Sequence, residues 1–82
     1  MNTDWDDLRF FLALHRQGSL RKAAALLGVN HGTVLQRIKR LESRLGAHLF
    51  DRTRTGLVTT ETGLELAVHA EQMEETARSV RS

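Results

Sequence analysis

Apolar positions recur along this chain in short, separate blocks. Leu8, Phe11 and Leu12 stand at helical spacing after an acidic, polar start, and they predict a first helix with one inward face. Thr3 or Asp4 is placed to cap it. Asp6 and Asp7 fall in its first turn, where the helix dipole favours anions. Gly18 is expected to stop it, and Ser19 to cap a second, short helix, LRKAAALL, with Leu20, Ala24 and Leu27 inward and Gly28 at its end. Asn30 caps a third helix, in which Val34, Ile38, Leu41 and Leu45 recur at spacings of four, three and four, with Gly46 closing it. The opposite face holds Gly32, Gln36, Lys39 and Ser43, flanked by Thr33, Leu35 and Arg40. Leu49-Phe50 and Leu57-Val58 are short β-prone runs, and RTRTG between them reads as a turn with Gly56 at positive φ. Thr60 caps a last helix.

Residues 19–46 are thus two short helices joined by a tight turn, followed by a hairpin with cationic ends. The expected fold is mainly α: a winged helix-turn-helix of three helices and a two-stranded wing (residues 49–58), then a long helix. Residues 1–60 form the winged domain and residues 61–82 the linker helix. Along that helix Leu66, Ala70, Met73, Ala77 and Val80 recur at four, three, four, three, a heptad seam for dimerisation. At 1.5 Å per residue it spans ~33 Å, more than so small a body covers, so the seam calls for a partner helix. Leu64 and Val68 lie off the seam and are expected to pack back on the domain. The competing reading is one amphipathic helix lying wholly on its own core.

Eighty-two residues make at most one small domain, which buries roughly 60–65% of its unfolded surface. There is no cysteine, so disulfides and thiolate metal sites are excluded. No apolar run approaches the ~20 residues that cross a bilayer. The start MNTDWDD is no signal peptide, and the expected location is the cytoplasm, without membrane attachment. The net charge of +2 is uninformative, but its distribution is not. Residues 36–54 hold Arg37, Lys39, Arg40, Arg44, Arg52 and Arg54 against Glu42 and Asp51, a net of +4, and Arg21 and Lys22 precede them. Both ends of the chain are net acidic. A basic middle of this kind suits a polyanion, although a solvated charged helix is the blander reading.

In a helix-turn-helix the second helix enters the major groove with its first residues at the base edges. Asn30, His31, Gly32 and Thr33 form that leading turn here. Gln36 is placed to read adenine through its amide. Lys39 and Arg40 are placed to meet phosphates, as are Ser19, Arg21 and Lys22. Arg52 and Arg54 carry the wing to flanking backbone or minor groove. Leu35 either meets a thymine methyl or packs against the wing, and Arg37 pairs with an acidic neighbour or with phosphate. The four histidines lack metal-ligand spacing, so no metal and no cofactor are expected. No serine, histidine and acid constellation supports catalysis, so an enzyme is not expected. A rival binding role offers the basic helix to an acidic protein partner.

Within the run DDLRFFLALHRQGSLRKAAALLGVNHGTVLQRIKRLESRLGAHLFDRTRTGLVTTETG, residues 7–63 resemble the N-terminal DNA-binding domain of LysR-type transcriptional regulators without a gap. The specific parts are F-x-A-L-x-x-x-G-S-L-x-x-A-A-x-x-L, I-x-R-L-E-x-x-L-G-x-x-L-F-x-R and T-x-x-G, in this order and spacing. The resemblance implies sequence-specific binding to double-stranded DNA, on an interrupted palindrome near a promoter, by a homodimer paired through the linker helix. By position it implies DNA-facing roles for His31, Gly32, Thr33, Leu35, Gln36 and Arg40, for Ser19 and Arg21 or Lys22, and for Arg52 and Arg54. Gly32 stands where the family often has Pro, and Leu35 where Ser is usual. Family members usually continue into a domain that binds a small-molecule inducer, which a chain of this length is expected to lack.

Overall fold

The computed structural model describes residues 5–81. The elements follow in the order α1 (Trp5–Gln17), α2 (Leu20–Leu27), α3 (His31–Leu45), β1 (Phe50–Thr53), β2 (Gly56–Thr59) and α4 (Glu61–Arg81). This is a winged helix-turn-helix with an added C-terminal helix. The proposed caps Thr3 and Asp4 lie outside the described residues. Asp6 and Asp7 occupy the first turn of α1 as expected.

Local chemistry sets the boundaries. Ser19 has extended backbone (φ −149°), and its Oγ accepts from the Lys22 N–H at 3.1 Å, which starts α2. Asn30 does the same for α3, its Oδ1 accepting from the Thr33 N–H at 2.9 Å. Gly28 closes α2 in the left-handed conformation (φ 73°), which a residue with a Cβ adopts only at a cost, and its N–H returns to the Ala24 carbonyl.

Phe11, Leu12, Leu14, Val34, Leu41 and Leu49 are the largest apolar side chains sealed in the core. They come from α1, α3 and the approach to the wing. Ala23 and Ala24 let α2 cross the other helices closely. Phe50 tilts against Phe11 with ring centroids 5.5 Å apart, which ties the base of the wing to α1.

β1 and β2 pair antiparallel, Phe50 opposite Thr59 and Thr53 opposite Gly56. The Leu57 N–H donates to the Gly18 carbonyl at 3.4 Å, so the wing is held against the α1–α2 junction. At its base, Glu42 of α3 accepts from the Leu49 N–H at 2.7 Å. The Thr60 N–H donates to the Leu49 carbonyl at 2.9 Å, and the Thr60 Oγ1 donates to the His48 carbonyl at 2.7 Å. That same oxygen accepts from the Gly63 N–H at 3.0 Å and caps α4.

α4 departs from expectation in two ways. Leu64 and Val68 were expected to pack back on the body, yet they are 51% and 54% exposed. Gly63, Ala67 and Ala70 pack there instead. A Cβ on Gly63 would lie 2.5 Å from the Leu49 carbonyl oxygen and 2.6 Å from Thr59 Cγ2. The helix and the strand base approach so closely that smallness selects the docking face. The second correction concerns the dimerisation seam. Ala70 is 0% exposed inside its own protomer, and Leu66 is half-buried against the same core. Met73, Ala77 and Val80 remain exposed. Bidentate donation from Arg16 to Glu74, at 3.1 and 2.8 Å, closes the docked part of α4 onto α1. Among the described residues, no helix is long and apolar enough to cross a membrane.

Candidate nucleic-acid interface

The buried stripe of α3 fixes what its other faces present. Val34, Ile38 and Leu41 point inward, so Gly32, Gln36, Lys39 and Ser43 emerge on the outside, all exposed. His31 joins them at the leading turn. Asn30 is also exposed, but its Oδ1 is engaged by the Thr33 N–H and by the Thr33 hydroxyl at 3.1 Å, so its amide NH2 is the group left to face a ligand. Thr33 is half-buried.

One flank of α3 faces the wing. Leu35 lines the hollow there with Leu20, Phe50 and Leu57, with Lys39 and Arg52 at its edge. Leu35 is half-buried and stands off the outermost strip, which gives its packing reading a structural basis. A neighbouring shallow hollow brings Ser19 together with Arg52, Arg54 and Gly56. The start of α2 and the wing, distant in sequence, therefore share one surface. Arg21 and Lys22 project from the first turn of α2 and are exposed. Among the described residues, Arg21, Lys22, Lys39, Arg52 and Arg54 take part in no ion pair.

The other flank is built differently. Asp7, 0% exposed, accepts from Arg37 at 2.9 Å, from Arg40 at 2.9 Å and from Arg44 at 3.2 Å. Arg37 also donates to Asp6 at 2.9 Å, and its guanidinium lies over the Phe10 ring, 4.8 Å from the centroid. Burial pushes the Asp7 carboxyl up, but hydrogen bonds and charge from Arg40 and Arg37 outweigh it and hold the group below its ordinary value. Donation from Arg9, then from Arg37, does the same for Asp6. The open alternative for Arg37 is thereby closed in favour of acidic neighbours. Arg40, expected at a phosphate, is engaged with Asp7 while its side chain remains 49% exposed. Asp7 and Arg44 were not singled out from sequence. The available signal was an acidic pair in α1 facing arginines three and seven positions apart on α3.

Residues 5–64 match the family model for bacterial regulatory helix-turn-helix proteins of the lysR family. The chain belongs to the lysR family. It is 46% identical over 63 residues to the HTH-type transcriptional regulator AbaB of Streptomyces antibioticus, covering 77% of this chain and 21% of that protein. It is 39% identical over 67 residues to the HTH-type transcriptional regulator YofA of Bacillus subtilis, covering 82% of this chain and 24% of that one. The chain thus spans a fifth to a quarter of the length of these relatives. The crystal structure of a complex of the CbnR DNA-binding domain with DNA superposes with a TM-score of 0.88 at 26% identity, over 95% of this chain and 90% of that one. Vibrio fischeri DarR in complex with DNA gives a TM-score of 0.88 at 28% identity, over 96% of this chain and 27% of that one.

Two of the patterns that carry the resemblance have physical reasons in this chain. In L-E-x-x-L-G-x-x-L, Glu42 holds the Leu49 N–H while Leu41 and Leu49 fill the core. In T-x-x-G, Thr60 caps α4, and Gly63 admits the helix against Leu49 and Thr59.

Proposed function

We propose that this lysR-family domain binds double-stranded DNA sequence-specifically as the DNA-binding part of a bacterial transcription regulator in the cytoplasm. In this reading α3 lies in the major groove, the wing follows the flanking backbone or minor groove, and two copies meet an interrupted palindrome. The observation that carries it is a set of five exposed cations that enter no ion pair among the described residues, Arg21 and Lys22 on α2, Lys39 on α3, and Arg52 and Arg54 on the wing, with Lys39 and Arg52 lining one hollow and Arg52 and Arg54 another beside Ser19. Gln36 is the base-reading residue, with the leading turn His31, Gly32 and Thr33 beside it. Lys39, Ser19 and the wing arginines position the backbone. Likeness to the CbnR and DarR complexes supports the same reading. The homodimer forms through the exposed end of α4, where Met73, Ala77 and Val80 are uncovered.

A salt titration of duplex binding tests the proposal. Five phosphate contacts imply a log–log slope of about −4.5, from ~0.9 per contact. Gln36→Ala should cost about 1–3 kcal/mol on the best site and little on a mismatched one. Lys39→Ala should weaken all duplexes alike and shallow the slope by about one unit. No binding to any duplex at low salt, or a flat salt response, would overturn the reading in favour of an acidic protein partner.

A further inference from the structure

We propose that Asn30 is a specificity-determining residue that reads guanine in the major groove through its amide N–H groups, and that Thr33 is the positioning residue that denies it adenine. The inference rests on the DNA-binding reading above and deepens it by giving one residue of the leading turn a base preference.

Three observations carry it. The first is how the amide is fixed. Asn30 Oδ1 accepts from the Thr33 N–H at 2.9 Å and from the Thr33 hydroxyl at 3.1 Å. A backbone N–H only donates, so the oxygen must turn toward the helix and the NH2 away from it. An amide oxygen offers two lone pairs, and both are taken. The second is what remains. Asn30 is exposed, and among the described residues no acceptor meets its amide nitrogen. The side chain therefore faces a ligand as a pure donor with two N–H groups. The third is space. A Cβ on residue 32 would lie 3.3 Å from Asn30 Oδ1, closer than side chains ordinarily pack. Gly32 leaves the amide room to lie across the first turn of α3.

The base follows from the donors. An asparagine with both ends free reads adenine, accepting from N6 and donating to N7. Asn30 has lost the accepting half. Guanine presents two acceptors on one edge, O6 and N7, which a lysine reads from a single nitrogen. The Asn30 NH2 is a single nitrogen with two N–H groups to offer. Cytosine shows only its N4 donor in the groove, and thymine one acceptor beside a methyl. Guanine is thus the edge that engages both N–H groups. The Gln36 amide has no partner among the described residues, so it keeps both ends and the reach to adenine. Two amides on the same helix then select different bases.

The test uses the whole 82-residue chain, the tightest duplex selected from a random-sequence pool, and every single-pair variant of that duplex. Binding is read by fluorescence anisotropy and folding by thermal melting. Asn30→Ser keeps an oxygen for the cap and removes the donor. It should weaken the selected duplex about 5- to 150-fold and abolish the preference for guanine at one pair of each half-site, with the melting temperature nearly in place. Asn30→Asp also keeps the cap but turns an acceptor outward. Preference at that pair should move from guanine to cytosine. Thr33→Val frees a lone pair on the Asn30 oxygen, so the ratio of guanine to adenine binding at that pair should fall. A loss of the same factor on every duplex in Asn30→Ser would make Asn30 a phosphate contact and overturn the proposal. So would adenine as the preferred base at the pair that Asn30→Ser relaxes, or an unchanged ratio in Thr33→Val. If Asn30→Ser does not fold, the base shift in Asn30→Asp and the ratio in Thr33→Val still decide the matter. Each of these failures leaves the DNA reading standing, whereas a native chain that binds no duplex sinks both.

Discussion

Ala70 and Val80 stand on the same seven-residue seam of α4, yet Ala70 is 0% exposed and Val80 is 80% exposed. The first half of the helix is closed by its own body. Gly63, Ala67 and Ala70 lie against that body, and Arg16 clasps Glu74 at the end of the docked stretch. Past that clasp the stripe continues through Ala77 and Val80, which are exposed. A four-three spacing therefore says which residues share a line on a helix and leaves open what covers the line. Here one line serves two partners in succession, the domain's own core and then, in the dimer reading, a second copy.

The sharpest way to break this contrast is to place the same charge at both ends. Ala70→Asp buries an unpaired carboxylate and should cost about 3–5 kcal/mol, by analogy with a broken buried pair. Such a loss is a large part of a small domain's stability, and the melting temperature should collapse. Next in size is Gly63→Ala, which forces a methyl against the Leu49 carbonyl and should cost about 1–3 kcal/mol. A smaller loss would show that α4 lifts off the strand base with little penalty.

Arg16→Ala should cost only about 0.2–1 kcal/mol, since the pair is partly exposed. It also carries a pH signature. Donation from Arg16 outweighs desolvation and holds the Glu74 carboxyl below the ordinary 4.5. The contribution of the clasp is therefore fully present above that value and is lost as pH falls through the lowered one. Comparing acid melts of the native chain and Arg16→Ala isolates it, and identical acid limbs would remove the clasp from the account. The smallest effect on the body belongs to Val80→Asp or Met73→Asp, within about 0.5 kcal/mol as surface changes. Either should shift sedimentation from dimer to monomer and weaken binding to a palindrome more than to a half-site. A native chain that is monomeric even at high concentration would leave the free end of α4 without its proposed partner.

What could be read from sequence was local. Ser19, Asn30, Gly28 and Gly46 act within a few residues of themselves, as does Thr60 in capping α4, and each does what its chemistry requires where it stands. The inward stripe of α3 was equally legible, because periodicity survives any tertiary context. The docking face of α4 is not legible in the sequence, because bulk is the ordinary sign of burial and this face is small. Gly63, Ala67 and Ala70 are buried because they are small, while Leu64 and Val68 are left in water. The arginine flank was hidden for another reason. Which side of α3 meets α1 is set by how three helices cross, so the acidic pair of α1 and the arginine spacing of α3 point to each other only once that crossing is known. The grouping of the uncommitted cations was half visible: the basic middle of the chain was evident, but the nearness of Ser19 to Arg52 and Arg54 depends on the bond from Leu57 to Gly18.

The order in which the elements pack also has a consequence in time. α1, α2 and α3 meet close neighbours in the chain and the hairpin closes on itself, whereas α4 returns to α1 across the whole winged body. Helical domains dominated by near-neighbour contacts fold in about microseconds to milliseconds, and the chain has no proline to add a slow isomerisation. The return of α4 closes the longest loop, whose entropy must be spent before its contacts form. Docking of Gly63, Ala67 and Ala70 is thus expected to follow the rate-limiting step. Stopped-flow kinetics of Gly63→Ala should then show faster unfolding with the folding rate nearly unchanged.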